Sequence, residues 1–341
     1  MKTACSLQVE SPSMFELDKR LRAVVFVLTG ALMFIGGLAL FWSIAYHRAL
    51  RTKKEFVAIA AIAFADAFNG LAFVCAGVWR MQRTYFYGIY ASQLGLTSWG
   101  CTWFPHNLLW GLFYPTAGLI LCVLSLDRLM ITAFTMWYIS KGPMLAYAAV
   151  GIVYAHGLLF EIAAIVNSYL KRTDGEVGDH CWQAYSIGDK LYDYSLNAFA
   201  YGHVASIGIY VVAFAAYVRH NMKVAGEGGE VNTAAVKRQK DMTMRIAWST
   251  LATMVLVVLP TYVASWLYSS DNEAIQVFHG WLYVPPNLNP LINVYLFLIK
   301  HKLMRRAFKA ALARKQMPAN LKNWGTTTAA NVEQTAHTSK L

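Results

Sequence analysis

The sequence predicts an all-α membrane protein: a seven-transmembrane helix bundle followed by a short amphipathic eighth helix. Three observations predict it. The 341-residue chain is 57% hydrophobic and only 14% charged, a greasier balance than an ordinary soluble domain carries. Apolar windows close to the ~20 residues that a helix needs to cross hydrocarbon recur along the chain. Lys and Arg fall mainly on alternate breaks between those windows.

The elements are taken in chain order. Residues 1–22 hold no apolar core and no small-residue cleavage site, so helix one serves as its own insertion signal. Helices one to three are expected at 23–46, 56–78 and 108–131, and helices four to six at 144–166, 198–217 and 246–268. Helix seven, at 275–299, is interrupted by "PPNLNP". Buried core helices of a soluble protein would not run so near membrane length with so few charges between them. In "HKLMRRAFKAALARK", residues 301–315, Leu303, Ala307, Phe308, Ala311 and Leu312 recur at helical spacing and basic residues fill the other face. That pattern suits a helix lying on an anionic leaflet, over residues 300–316. The tail at 317–341 is rich in Thr, Ala and Asn and is expected to be disordered.

Orientation follows from charge. The breaks after helices one, three and five and the tail, with Arg128 counted among them, hold 21 of the 30 Lys and Arg residues. Short basic loops resist translocation, which puts the N-terminus outside and the C-terminus in the cytosol of a multi-pass plasma-membrane protein. The net charge of +12 is thus chiefly a topology signal. Nucleic acid is excluded as a partner, because no soluble domain gathers the basic residues; the lipid bilayer is the partner that composition implies.

"VLSLDRLM", residues 123–130, sets Asp127 beside Arg128 inside an apolar stretch. Ionisable groups in membrane helices face the bundle or a wet cavity and have a partner, so the two are expected to pair. In "AIAFAD" Asp66 is a carboxylate near the middle of helix two, and in "NLNPLINVY" Asn289, Pro290 and Asn293 interrupt helix seven. An isolated midplane carboxylate is costly. Asp66 is therefore expected to take a proton or sodium, or to hydrogen-bond Asn289 and Asn293. Pro260 in "VVLPTY" removes one backbone hydrogen bond from helix six and permits a hinge.

In this order the motifs resemble a family. Ser125-Leu126-Asp127-Arg128-Leu129 is similar to the Asp-Arg-Tyr signature of rhodopsin-like G-protein-coupled receptors, and its Leu variant resembles that of nematode serpentine chemoreceptors. "AIAFAD", Pro260 and "NLNPLINVY" resemble the family's landmarks in helices two, six and seven. The resemblance implies a switch in which Asp127 holds Arg128 at rest and releases it toward a heterotrimeric G protein, with Asn289, Pro290 and Pro260 taking part. It implies a buried polar site, a possible sodium site, at Asp66, Asn289 and Asn293. It also implies a disulfide between Cys101 and Cys181, both outside in this topology and so in oxidising surroundings. Cys75 and Cys122 are expected to be small packing residues. The sequence departs from the family at Val257-Val258, Gly37 and Ala117, and helix five has no proline. Lys240 stands where relatives carry a latching acid, and the adjacent Asp241 is expected to substitute.

Trp110 occupies the place where amine receptors carry an Asp, so a monoamine ligand is not expected. Trp110, Tyr114, Tyr262, His279 and Tyr283 fall where relatives line their pocket, and Glu161 and His203 are further intramembrane ionisable groups. The implied ligand is an extracellular small molecule or peptide, stacked on rings and hydrogen-bonded by hydroxyls and imidazole. Residues 275–299 contain no lysine, which closes the retinal option. With no metal-ligand cluster, phosphate-cradling glycine loop or nucleophile beside a base, neither an enzyme, a metal nor a cofactor is expected. The expected function is a chemosensory G-protein-coupled receptor. The alternatives are a neuropeptide-type receptor of the same fold or, from another class, a small-solute transporter or channel with Asp66, Glu161 and Arg128 along its path.

Overall fold

The computed structural model describes residues 14–86, 96–172, 181, 183–226, 247–267 and 272–315. Asp241 and Lys240 lie outside them, as do most of residues 1–22 and the tail at 317–341. Among the described residues the regular structure is helical, with no strand. Six helices are long and apolar enough to cross a membrane. Helix one is Met14–Ala45, helix two Lys54–Phe86, helix three Pro105–Ala133, helix four Met144–Leu170 and helix five Asp189–Gly226. Helix six provides the span Ala247–Ala264.

Most of these helices overrun the predicted windows by a turn or more, because their ends continue as polar helix beyond the apolar stretch. The seventh window behaves differently. It divides into Glu273–Trp281, Val284–Val294 and a π turn at Tyr295–Ile299. Pro285, Pro286 and Pro290 each withhold a backbone N–H there.

Glycines set the closest packing. A Cβ on Gly30 would lie 2.6 Å from the Gly70 carbonyl oxygen, and one on Gly37 would lie 2.7 Å from that of Ala63. Helices one and two therefore touch backbone to backbone, as small residues permit in membranes. Helices three and five meet in the same way: a Cβ on Gly118 would come within 2.6 Å of the Phe199 carbonyl oxygen. Beside that contact Cys122 donates its thiol to the Gly202 carbonyl at 3.0 Å.

Helix six carries a π turn, Met254–Val258, that ends two residues before Pro260. A π turn inserts an extra residue into the ladder and rotates everything after it. Helix Lys302–Leu312 is capped by His301, whose ring accepts the Met304 N–H at 3.4 Å. Leu303, Met304, Ala307 and Ala311 on it are buried, while Leu312 is exposed. The buried face packs against Ile44 and Leu50, and His47 Nε2 donates to the Ala307 carbonyl at 2.8 Å. The apolar stripe predicted for a leaflet is thus largely covered by the chain itself.

Candidate functional site

A disulfide joins Cys101 and Cys181, with Cα atoms 5.2 Å apart across a sequence separation of 80. Cys181 has a left-handed backbone, φ 43°, which a side-chain-bearing residue adopts only when its surroundings hold it there. Here its carbonyl accepts from Asn107 Nδ2 at 3.2 Å and His106 Nε2 at 3.4 Å. Both donors come from the first turn of helix three, so the bridge is fixed to that helix end by more than its sulfurs.

At the opposite end of helix three lies the charged constellation. Arg128 Nη2 meets Asp127 Oδ2 at 2.7 Å and Glu55 Oε2, from helix two, at 3.2 Å. The three side chains are 13%, 6% and 27% exposed, so the guanidinium is shielded between two carboxylates. The other Asp127 oxygen accepts from the Tyr138 hydroxyl, which the short helix Thr135–Ser140 carries back over the end of helix three. Burial first, and then the neighbouring Asp127 charge, push the Tyr138 hydroxyl far above the ordinary phenol range. Tyr138 therefore keeps its proton and remains a donor. Lys54 donates to the Tyr138 carbonyl and stands 3.5 Å over its ring. Charges balance: Lys54 and Arg128 face Asp127 and Glu55.

Deeper in the bundle a cavity is lined by Asp66, Asn69, Tyr114, His203, Thr261, Tyr283, Asn287 and Asn289, with Pro290. A second, more apolar cavity shares Asp66 and Pro290 and adds Asn293 and Gly37. Asp66, Asn289 and Asn293 are thus neighbours, but the expected hydrogen bonds from the two asparagines to Asp66 are not made. Their side-chain oxygens accept from helix six instead, Asn289 from Thr253 at 3.1 Å and Asn293 from Ser249 at 2.5 Å. The reason is spacing: Ser249 and Thr253, like Asn289 and Asn293, stand one helical turn apart and lie on matching faces. Asn69 Oδ1 and Asn287 Nδ2 are buried without a hydrogen-bond partner among the described residues. The cavity therefore combines a carboxylate with unsatisfied donors and acceptors.

The expected ligand residues separate. Tyr114 lines the first cavity and stacks on Phe199, ring centroids 4.2 Å apart. His203 lines it too, and its Nδ1 donates to the Phe199 carbonyl at 2.7 Å. Tyr283 lines it and lies 3.4 Å from His279. Trp110 does not: it is buried edge-on to Phe73 and His106. Tyr262 does not either, since its ring is exposed at 46% while Thr261 and Ala264 turn inward. Glu161 is buried against helix three, where a Cβ on Gly111 would meet its Oε2 at 1.6 Å, and that oxygen has no hydrogen-bond partner among the described residues. Neither cavity takes in Glu161 or Arg128. Among the described residues no group of His, Cys, Asp and Glu is placed to hold a metal.

No protein-family model matches the chain, and no curated protein matches it either. Residues that the sequence did not single out include Glu55, Lys54 and Tyr138 at the charged end, and Asn69, Asn287, Ser249 and Thr253 around the cavity. Glu55 had a signal, since it precedes Asp66 by about three turns and so shares its face of helix two. Asn69 lies one turn beyond Asp66 on that face.

Proposed function

We propose that the chain is a rhodopsin-like G-protein-coupled receptor, a seven-helix bundle that couples an extracellular ligand to a cytoplasmic heterotrimeric G protein. In this reading 273–299 is the seventh crossing, kinked at its prolines, and Lys302–Leu312 is the eighth helix. The N-terminus is outside and the Arg128 end faces the cytosol, as the Lys and Arg bias favours. One observation carries the proposal: a guanidinium held by its neighbouring carboxylate at the end of a long apolar helix, in a network that conformational change could release. Such a pair is costly to leave half-made in low dielectric. Its stored interaction suits a switch better than a static contact.

The ligand would enter from the disulfide end and settle over Tyr114, His203 and Tyr283, where rings and polar groups converge on one cavity. Binding acts only if it favours the released arrangement over the held one. Pro260 and the π turn before it supply the place where helix six bends. A chemosensory role is the form that the Asp-Arg-Leu variant suggests.

The test is a reporter of G-protein activation across Gα classes, run beside an ion-replacement flux assay on the same cells. Activation without flux, abolished in Arg128→Ala at unchanged surface expression, is the expected result. Flux without activation would replace the receptor with a transporter or channel.

A further inference from the structure

We infer that Glu55 of helix two is a second latch on Arg128, and the one that senses how the helices are arranged. The inference rests on the receptor reading and names a residue that regulates its switch.

Asp127 and Arg128 are adjacent on one helix. Their 2.7 Å contact therefore travels with helix three in any rigid-body movement and cannot report on the rest of the bundle. Glu55 is different. Its 3.2 Å contact to the same Arg128 nitrogen crosses from helix two to helix three, so it breaks only when those helix ends part or the guanidinium swings away. The preceding residue reinforces the grip, because Lys54 donates to the Tyr138 carbonyl while Tyr138 donates to Asp127. Two consecutive side chains at the start of helix two thus hold the switch from both sides. Helix six offers no competitor among its described residues, since 247–267 contain no acid.

Charge also assigns the two carboxylates different jobs. Asp127 is nearly enclosed and balances a buried cation, whereas Glu55 is 27% exposed and adds a contact that solvent can replace. Losing Asp127 strands a charge; losing Glu55 leaves the local pair intact and removes only the interhelical tie.

The test uses the full chain. Glu55→Gln, Glu55→Asp, Arg128→Gln and the Glu55→Gln/Arg128→Gln double variant are purified in nanodiscs. Unfolding midpoints and ligand-free nucleotide exchange on purified Gα heterotrimers of each class are then measured. The single substitutions should fail to add in the double variant, as contacting groups do. Glu55→Gln should raise ligand-free exchange about fivefold or more, while Glu55→Asp stays at the wild-type level. Additive midpoints would overturn the latch whatever the exchange shows. Coupled midpoints with exchange in wild type and no rise in Glu55→Gln would also overturn it as a regulator. Coupled midpoints with no exchange from any variant would instead overturn the receptor reading.

Discussion

The two ends of the polar interior are built on opposite plans. Around Arg128 every charge has an opposite neighbour: two carboxylates, a phenol and an ammonium close on one another between helices two and three and the short helix Thr135–Ser140. Around Asp66 a carboxylate lines two cavities with amides that turn elsewhere or find no partner. A charge-matched network, even with Arg128 Nε left without a hydrogen-bond partner among the described residues, resists change until something pulls it apart, whereas a carboxylate with no opposite charge beside it accepts whatever arrives. The difference separates a region whose charges are matched from one whose polar groups are not.

Breaking the charge-matched network should cost most. Arg128→Ala leaves Asp127 and Glu55 facing each other and is expected to lower stability by roughly 3 kcal/mol, read from unfolding in nanodiscs; on the proposed receptor reading it also abolishes G-protein activation. Tyr138→Phe removes one hydrogen bond to a charged acceptor and should cost about 2 kcal/mol; a loss no larger than a surface substitution would place the ring outside the network. Thr253→Val takes one hydroxyl from Asn289 and should cost about 1 kcal/mol by the same measurement. Asp66→Asn gives the smallest effect and the opposite sign. It removes an unpaired carboxylate from the bundle, so stability should stay level or rise by up to about 1 kcal/mol. If Asp66→Asn destabilised as strongly as Asp127→Asn, the contrast between the two regions would vanish.

Much of this is legible in the sequence, and for identifiable reasons. Composition exposes the apolar helices, and the adjacency of Asp127 and Arg128 inside an apolar run exposes their pairing, because charges in such a run need an opposite partner within reach. The Cys101–Cys181 bridge comes from the resemblance. Tertiary reach is the part that residue types do not carry. Glu55 stands at the edge of its apolar window, where a charge ordinarily meets water, and only the packing of helices two and three turns it toward Arg128. Tyr138 sits beyond helix three, and the fold-back of its short helix has no signature in the sequence.

Two of the aromatic residues expected in the pocket are placed elsewhere by the packing. The resemblance puts Tyr262 in the pocket, but beyond the π turn at Met254–Val258 it is Thr261 and Ala264 that turn toward the cavity, and the Tyr262 ring faces outward. Trp110 departs for another reason. Phe73 and His106 fill its surroundings, and a pattern of residue types does not reveal which aromatic finds a ring already waiting.

The glycine seam between helices one and two has a mechanical meaning. At Gly30 and Gly37 the nearest obstacle to any added atom is main chain rather than side chain, so no rotamer change could let one rod slide past its neighbour. These two rods form the keel of the molecule, and bending must be taken up across the hull, where helix six already carries a widened turn and a proline.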